Sequence, residues 1–149
     1  MQMEAVAYLK QKGIYITPAR RALFLAFIQH EEALSQRQLS AILNGGFDRV
    51  TLYRTLELFL QKGIIHVVPG IKGRLLYTLS IKNVRYASPD HKKHLHFICT
   101  ACGKATCLES IPAPVFQLPE GFTGMDTEVV VHGICCSCQN TTNNDRSGL

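Results

Sequence analysis

Apolar residues in the N-terminal part of the chain recur at three- and four-residue intervals, the period of an amphipathic helix. Val6 and Leu9 predict a first helix over residues 4–13, closed by Gly13. Leu23, Phe24, Phe27 and Ile28 form the inward face of a second. Thr17 is its N-cap candidate, and Pro18 takes the first helical position, where a missing N–H costs nothing. A third helix is capped by Ser35 and turns Leu39, Ile42 and Leu43 inward. After a turn at "GGF" (residues 45–47), "DRVTLYRTLELFLQKGII" predicts a fourth helix capped by Asp48 and stopped at Gly63. The pattern then changes. "IIHVV" and "RLLYTLS" are β-rich runs around the turn "PGIKG", which predicts a hairpin.

Three helices, a tight link, a further helix and a hairpin follow the order of a winged helix-turn-helix. "IKNVRYASPDHKK" (residues 81–93) is polar and holds Pro89, and reads as a linker. Beyond it, "HLHFICT", "KATCLES" and "TEVVVHGIC" are short strand-like runs with all six cysteines among them or beside them. The predicted fold class is α+β. A winged-helix domain over residues 1–80 and a hinge over 81–93 precede a small β-rich domain over 94–139. The polar residues 140–149 read as a disordered tail. "SIPAPVFQLPEGF" carries three prolines, so no long helix is expected there.

Charge sharpens the division. Residues 1–90 hold 12 Lys/Arg against 6 Asp/Glu (+6), and residues 91–149 hold 4 against 5 (−1). The basic charge therefore belongs to the helical part, which suggests a polyanion there, nucleic acid being the commonest. No stretch approaches the ~18 apolar residues of a membrane span, and no signal peptide is visible. A cytoplasmic chain is expected. Thiols stay reduced in that compartment, so the cysteines favour metal over disulfides.

Cys99-x-x-Cys102, followed by Gly103, and Cys135-x-x-Cys138 are two knuckles that can close a tetrahedral S₄ site, the pattern of a structural zinc. Cys136 sits inside its knuckle and reads as a bystander, though it remains an alternative ligand. His94 and His96 share one face of a strand. A hairpin folded at the first knuckle could bring Cys107 beside them. Two imidazoles and a thiolate suit Zn²⁺ better than Mg²⁺ or Mn²⁺.

"TPARRALF" (residues 17–24), "DRVTLYRTLELFLQKGII" (48–65), "HLHFICTACGKATCLE" (94–109) and "VHGICCSCQ" (131–139) together resemble the Fur (ferric uptake regulator) family of metal-responsive transcriptional regulators. The likeness covers nearly the whole chain. It implies that residues 94–139 form a zinc-stabilised dimerisation domain, and that the chain is a homodimeric repressor reading a palindromic operator in double-stranded DNA. By that match Tyr53 and Arg54 are the groove-reading pair, with Arg49 and Thr51 beside them, and Arg20 is a phosphate contact. The chemistry agrees: Arg can bond guanine or phosphate, and Tyr can touch a thymine methyl. Tyr15 replaces a lysine that many members carry.

The family's iron-type site is depleted here. Its first histidine aligns with Ala33, its wing carboxylate near Thr78 and its acidic residue with Cys107. The zinc sensors of the family place a ligand just after the recognition helix, and His66 matches it. The resemblance thus implies a regulatory N₃S site of His66, His94, His96 and Cys107, with His91 or Glu31/Glu32 as substitutes for His66. Zn²⁺ is the expected signal, with Fe²⁺ or Mn²⁺ the alternative. An accessory site would need Lys93, Leu95 and Thr127, which are not usual ligands. Two other readings remain open. One is a peroxide or iron sensor that uses Glu31 or Glu32 and Asp90, or a redox pair of Cys107 and Cys136. The other, remote, is a zinc-dependent enzyme. The deaminase pattern pairs H-x-E with P-C-x-x-C, but His94 and His96 have no glutamate between or after them and Cys99 is preceded by isoleucine.

Overall fold

A computed structural model describes residues 2–30, 32–80, 94–124 and 127–139, with the side chains of Gln2, His94 and Glu109 outside the described set. The predicted linker and tail, with Glu31, Asp90 and His91, fall outside these residues.

The winged helix begins with α1 (Gln2–Gln11), α2 (Pro18–Gln29), α3 (Gln36–Ile42) and α4 (Arg49–Gln61). Each of the last three starts on a side-chain cap. Thr17 accepts from the Arg20 N–H, Ser35 from Gln38 and Asp48 from Thr51. Ser35 and Gln38 form a reciprocal capping box: the Gln38 N–H donates to Ser35 Oγ at 3.3 Å, and the Ser35 N–H donates to Gln38 Oε1 at 2.9 Å. Replacing Ser35 by alanine should cost about 1 kcal/mol. A urea titration would show it as a lower midpoint at unchanged slope.

Gly63 ends α4 in the left-handed region, φ 63°, a conformation that a side chain would strain. The chain then enters β1 (Ile65–Pro69), turns through a short 3₁₀ segment (Ile71–Gly73) and returns along β2 (Leu75–Leu79). The two strands are antiparallel, with His66 opposite Thr78. The core of this unit gathers Leu9, Leu23, Phe24, Leu39, Leu56 and Phe59, all essentially inaccessible. Tyr8 stacks on Phe24 at 5.5 Å between ring centroids, and Phe24 meets Phe59 edge-on at 6.2 Å. The helical face read from the sequence is this core. Ile28, Ile42 and Leu43 sit at its rim, half-buried.

The second unit is a three-stranded sheet of β3 (His94–Cys99), β4 (Ala105–Pro112) and β5 (Val129–Gly133), in the order β4-β3-β5. β3 runs antiparallel to β4 and parallel to β5. The register is regular from Leu95 opposite Leu108 to Ile98 opposite Ala105, then shifts, so that His94 stands opposite Pro112. Residues 113–119 are neither helix nor strand.

The two units touch. Ala33, Val68 and Leu76 of the first share a buried cluster with Ile98, Ala105 and Cys107 of the second. Ala33 stitches the seam: its N–H donates to the Ala105 carbonyl at 3.0 Å. The neighbouring Leu34 is held within the first unit, where it exchanges a pair of 2.8 Å backbone bonds with Tyr77 of β2. No helix of the described residues is long and apolar enough to cross a membrane.

Candidate metal centres and nucleic-acid interface

The first knuckle lies between β3 and β4 and the second follows β5. The parallel pairing of β3 with β5, which sets Cys99 opposite Gly133, brings the two together. Gly103 makes the knuckle's turn at φ 76°. The Thr100 N–H donates to the Gly133 carbonyl at 2.8 Å, fastening the knuckle to β5. The sulfurs of Cys99, Cys102, Cys135 and Cys138 all lie within 4.8 Å of one another. A tetrahedral zinc with ~2.3 Å bonds requires sulfurs about 3.8 Å apart. Cys102 and Cys135 are 3.9 Å apart. Backbone N–H groups of Cys102 and Cys135 aim at Cys99 and lower its thiol pKa to about 6. Hydrogen bonds with Cys135 and Cys102 push Cys138 up to about 12. Four sulfurs this close cannot all ionise unaided, and a divalent cation is what removes the conflict. Cys136 is exposed and is not among the four.

A second cluster lies at the seam. His66 comes from β1, His96 from β3 and Cys107 from β4, and their ligand atoms lie within 4.8 Å of one another. Direct cross-strand pairing sets Cys107 opposite His96. The Nε2 atoms of His66 and His96 are 3.2 Å apart, and Cys107 Sγ is 3.7 Å from His66 Nε2. Zinc–nitrogen bonds of ~2.0–2.1 Å and a ~2.3 Å zinc–sulfur bond predict tetrahedral edges of about 3.3 Å and about 3.6 Å. The donor set and spacing therefore fit zinc. His96 and Cys107 are 6% and 8% exposed, while His66 is half-buried, so two of the three donors are shielded from water. His94 stands two residues before His96 on the same strand. Its side chain lies outside the described set.

Of the substitutes, Glu32 instead pairs with Lys104 across the seam at 3.4 Å. Ala33 and Thr78, which match family ligand positions, are both buried. Glu128, which no sequence motif singles out, lies 3.7 Å from His96 Nδ1. An acidic residue directly before the last strand was the available signal.

The exposed face of α4 carries Arg49, Tyr53 and Arg54, while Leu52, Thr55, Leu56 and Phe59 are buried behind it. Tyr53 is 51% exposed and therefore not a core aromatic. A hydrogen bond with Glu57 raises its hydroxyl pKa. Thr51 is engaged locally: its hydroxyl donates to Asp48 Oδ2 at 2.7 Å. The same partner holds the Asp48 carboxyl below its ordinary range. Arg20 lies apart, at the start of α2, where its Nη1 donates to the Tyr15 carbonyl at 2.8 Å. A concavity of about 460 Å³ between α3 and α4 is lined by Arg37, Ser40 and Arg49 among others.

The chain is 26% identical over 135 residues to the zinc uptake regulation protein of Escherichia coli K12, covering 86% of this chain and 75% of that one. It is also 26% identical over 143 residues to the peroxide-responsive repressor PerR of Staphylococcus aureus Mu50, covering 91% and 90%. A solved zinc uptake regulator complexed with zinc and DNA shares the fold, with a TM-score of 0.65 at 21% identity over 95% of each chain. The model of the ferric uptake regulator family matches residues 11–112. With a winged helix joined to a small cysteine-bearing sheet, this chain belongs to the ferric uptake regulator family.

Proposed function

We propose that the chain is a zinc-sensing transcriptional repressor that binds a palindromic operator as a homodimer in the cytoplasm. The observation that carries this reading is the origin of the three clustered donors. His66 belongs to the wing, and His96 and Cys107 belong to the sheet. His66, His96 and Cys107, with His94 as fourth ligand, would hold Zn²⁺, which supplies a cross-link between the two units. Two nitrogens and a sulfur favour zinc over a hard, oxygen-seeking ion. Cys99, Cys102, Cys135 and Cys138 would hold a second, structural zinc, a closed site with no open position for catalysis.

Closure matters because two recognition helices must stand about one DNA turn apart, ~34 Å, to read a palindrome. The seam at Ala33 and Ala105 already presents the winged helix to the sheet. The His66–His96–Cys107 cluster makes that arrangement the better binder of metal, and only such a difference can shift the population. Arg49, Tyr53 and Arg54 then face one groove and Arg20 the flanking phosphates.

Zinc should tighten operator binding by roughly 5- to 150-fold, the range of ordinary allosteric coupling. Cys107→Ser should abolish that ratio and lower the zinc content from two to one per chain. Elemental analysis and operator titration with and without Zn²⁺ test both. A response to Fe²⁺ or Mn²⁺ with no zinc effect, or loss of binding on peroxide treatment, would replace zinc by iron or peroxide as the signal.

A further inference from the structure

His96 is bracketed. Its Nε2 lies 3.2 Å from His66 Nε2, and its Nδ1 lies 3.7 Å from the Glu128 carboxylate. We propose that Glu128 is a positioning residue for the His66–His96–Cys107 site, holding His96 with its proton on Nδ1 and its Nε2 lone pair turned to the metal. The proposal deepens the zinc-site reading and rests on it.

The geometry arises from the parallel pairing of β3 with β5. His96 stands opposite Val130, so the residues just before β5 run alongside the His96 ring. Glu128 sits on the open side, with its side chain 53% exposed, whereas that of His96 is 8% exposed. The carboxylate thus reaches in from solvent to a buried ring. An imidazole has two nitrogens, and its neutral form carries one proton. A carboxylate at Nδ1 draws the proton there and leaves Nε2 free to ligate. It also makes Nε2 a better donor and restrains ring rotation. At 3.7 Å the pair stands at ion-pair distance, and a small shift of the exposed Glu128 side chain brings it to direct hydrogen-bond length. Glu128 is not itself among the clustered donors. It faces the ring's far nitrogen, so its role is orientation.

Outer carboxylates of this kind set metal affinity by about 10–100-fold. Glu128→Ala should weaken the second zinc by that factor in competition with a chromogenic chelator, while the first zinc stays tightly bound. Glu128→Gln keeps an acceptor without the charge and should recover part of the loss. Co²⁺ substitution adds a spectroscopic readout. In Glu128→Ala the thiolate-to-cobalt band should survive, because Cys107 still ligates, but should saturate only at higher Co²⁺. Wild-type protein and Cys107→Ser are run alongside. If the wild type takes up a second zinc that Cys107→Ser loses, and Glu128→Ala binds it within about threefold of wild type, the positioning role is overturned and the site stands. If the wild type holds only one zinc, or Cys107→Ser retains two, the site itself is wrong and the role of Glu128 falls with it.

Discussion

An Arg54→Ala variant will bind its operator hardly better than unrelated DNA of the same length. A bidentate arginine–guanine contact is worth ~1–3 kcal/mol of discrimination, and the proposed homodimer on a palindrome would present it twice, so roughly 2–6 kcal/mol is at stake. At 1.4 kcal/mol per decade that is about 30- to 10⁴-fold, much of the ~10³–10⁷ specificity ratio of ordinary DNA-binding proteins. The fold should not suffer. Arg54 is on the exposed face of α4, and the packing is done by Leu52, Leu56 and Phe59 behind it. The measurement is operator and scrambled-duplex affinity at several salt concentrations. A base contact loses specificity at nearly constant salt slope, whereas a phosphate contact weakens all DNA alike and lowers the slope by about one. An unchanged ratio of specific to non-specific binding would remove Arg54 from the reading face.

Cys135→Ser should have an equally large effect, on structure. A serine hydroxyl does not replace a thiolate at this spacing, so the S₄ site should lose its metal. Apart from the seam with Ala33, Val68 and Leu76, the sheet has little else to hold it: of its described residues, only Ile98, Cys99 and Ala105 are 0–1% exposed. Structural zinc contributes apparent free energies of ~10–16 kcal/mol, against ~5–15 kcal/mol for the net stability of a typical protein. Loss of the metal should unfold β3, β4 and β5 and, with them, the proposed dimer. The winged helix has a separate core around Phe24 and Phe59 and should remain folded. Limited proteolysis read by mass spectrometry would show a protected fragment near residues 2–80 with the rest digested. A variant that keeps its zinc and a protected sheet would refute the S₄ assignment.

Both variants rest on features legible in the chain itself. The α4 cap at Asp48 and the stop at Gly63 are local properties, as is the inward face of α2 at Leu23, Phe24 and Phe27. Capping, positive φ and helical period act over a few residues, so they survive translation from pattern to structure. The two knuckles were legible for the same reason, since each Cys-x-x-Cys makes its own turn. That Cys107 faces His96 follows from folding a hairpin at the first knuckle, again a short-range consequence.

What lay beyond the pattern is long-range. Nothing in "GIIHVV" marks His66 as adjacent to a strand thirty residues later, and its place was suggested by family resemblance alone. The wing reaches that strand because Ala33, Val68 and Leu76 bury themselves against Ile98 and Ala105, a match of apolar surfaces with no period to read. The Ala33–Ala105 backbone bond and the Glu32–Lys104 pair across the same seam are likewise invisible in one dimension. Glu128 meets His96 only because β5 runs parallel to β3, and a parallel partner is set by the path of a long connection. Local sequence thus specified the elements, their caps and the knuckles, because those energies are short-ranged. The seam, the donors it gathers and the carboxylate behind them come from burial between distant segments, which is specified only when both surfaces exist.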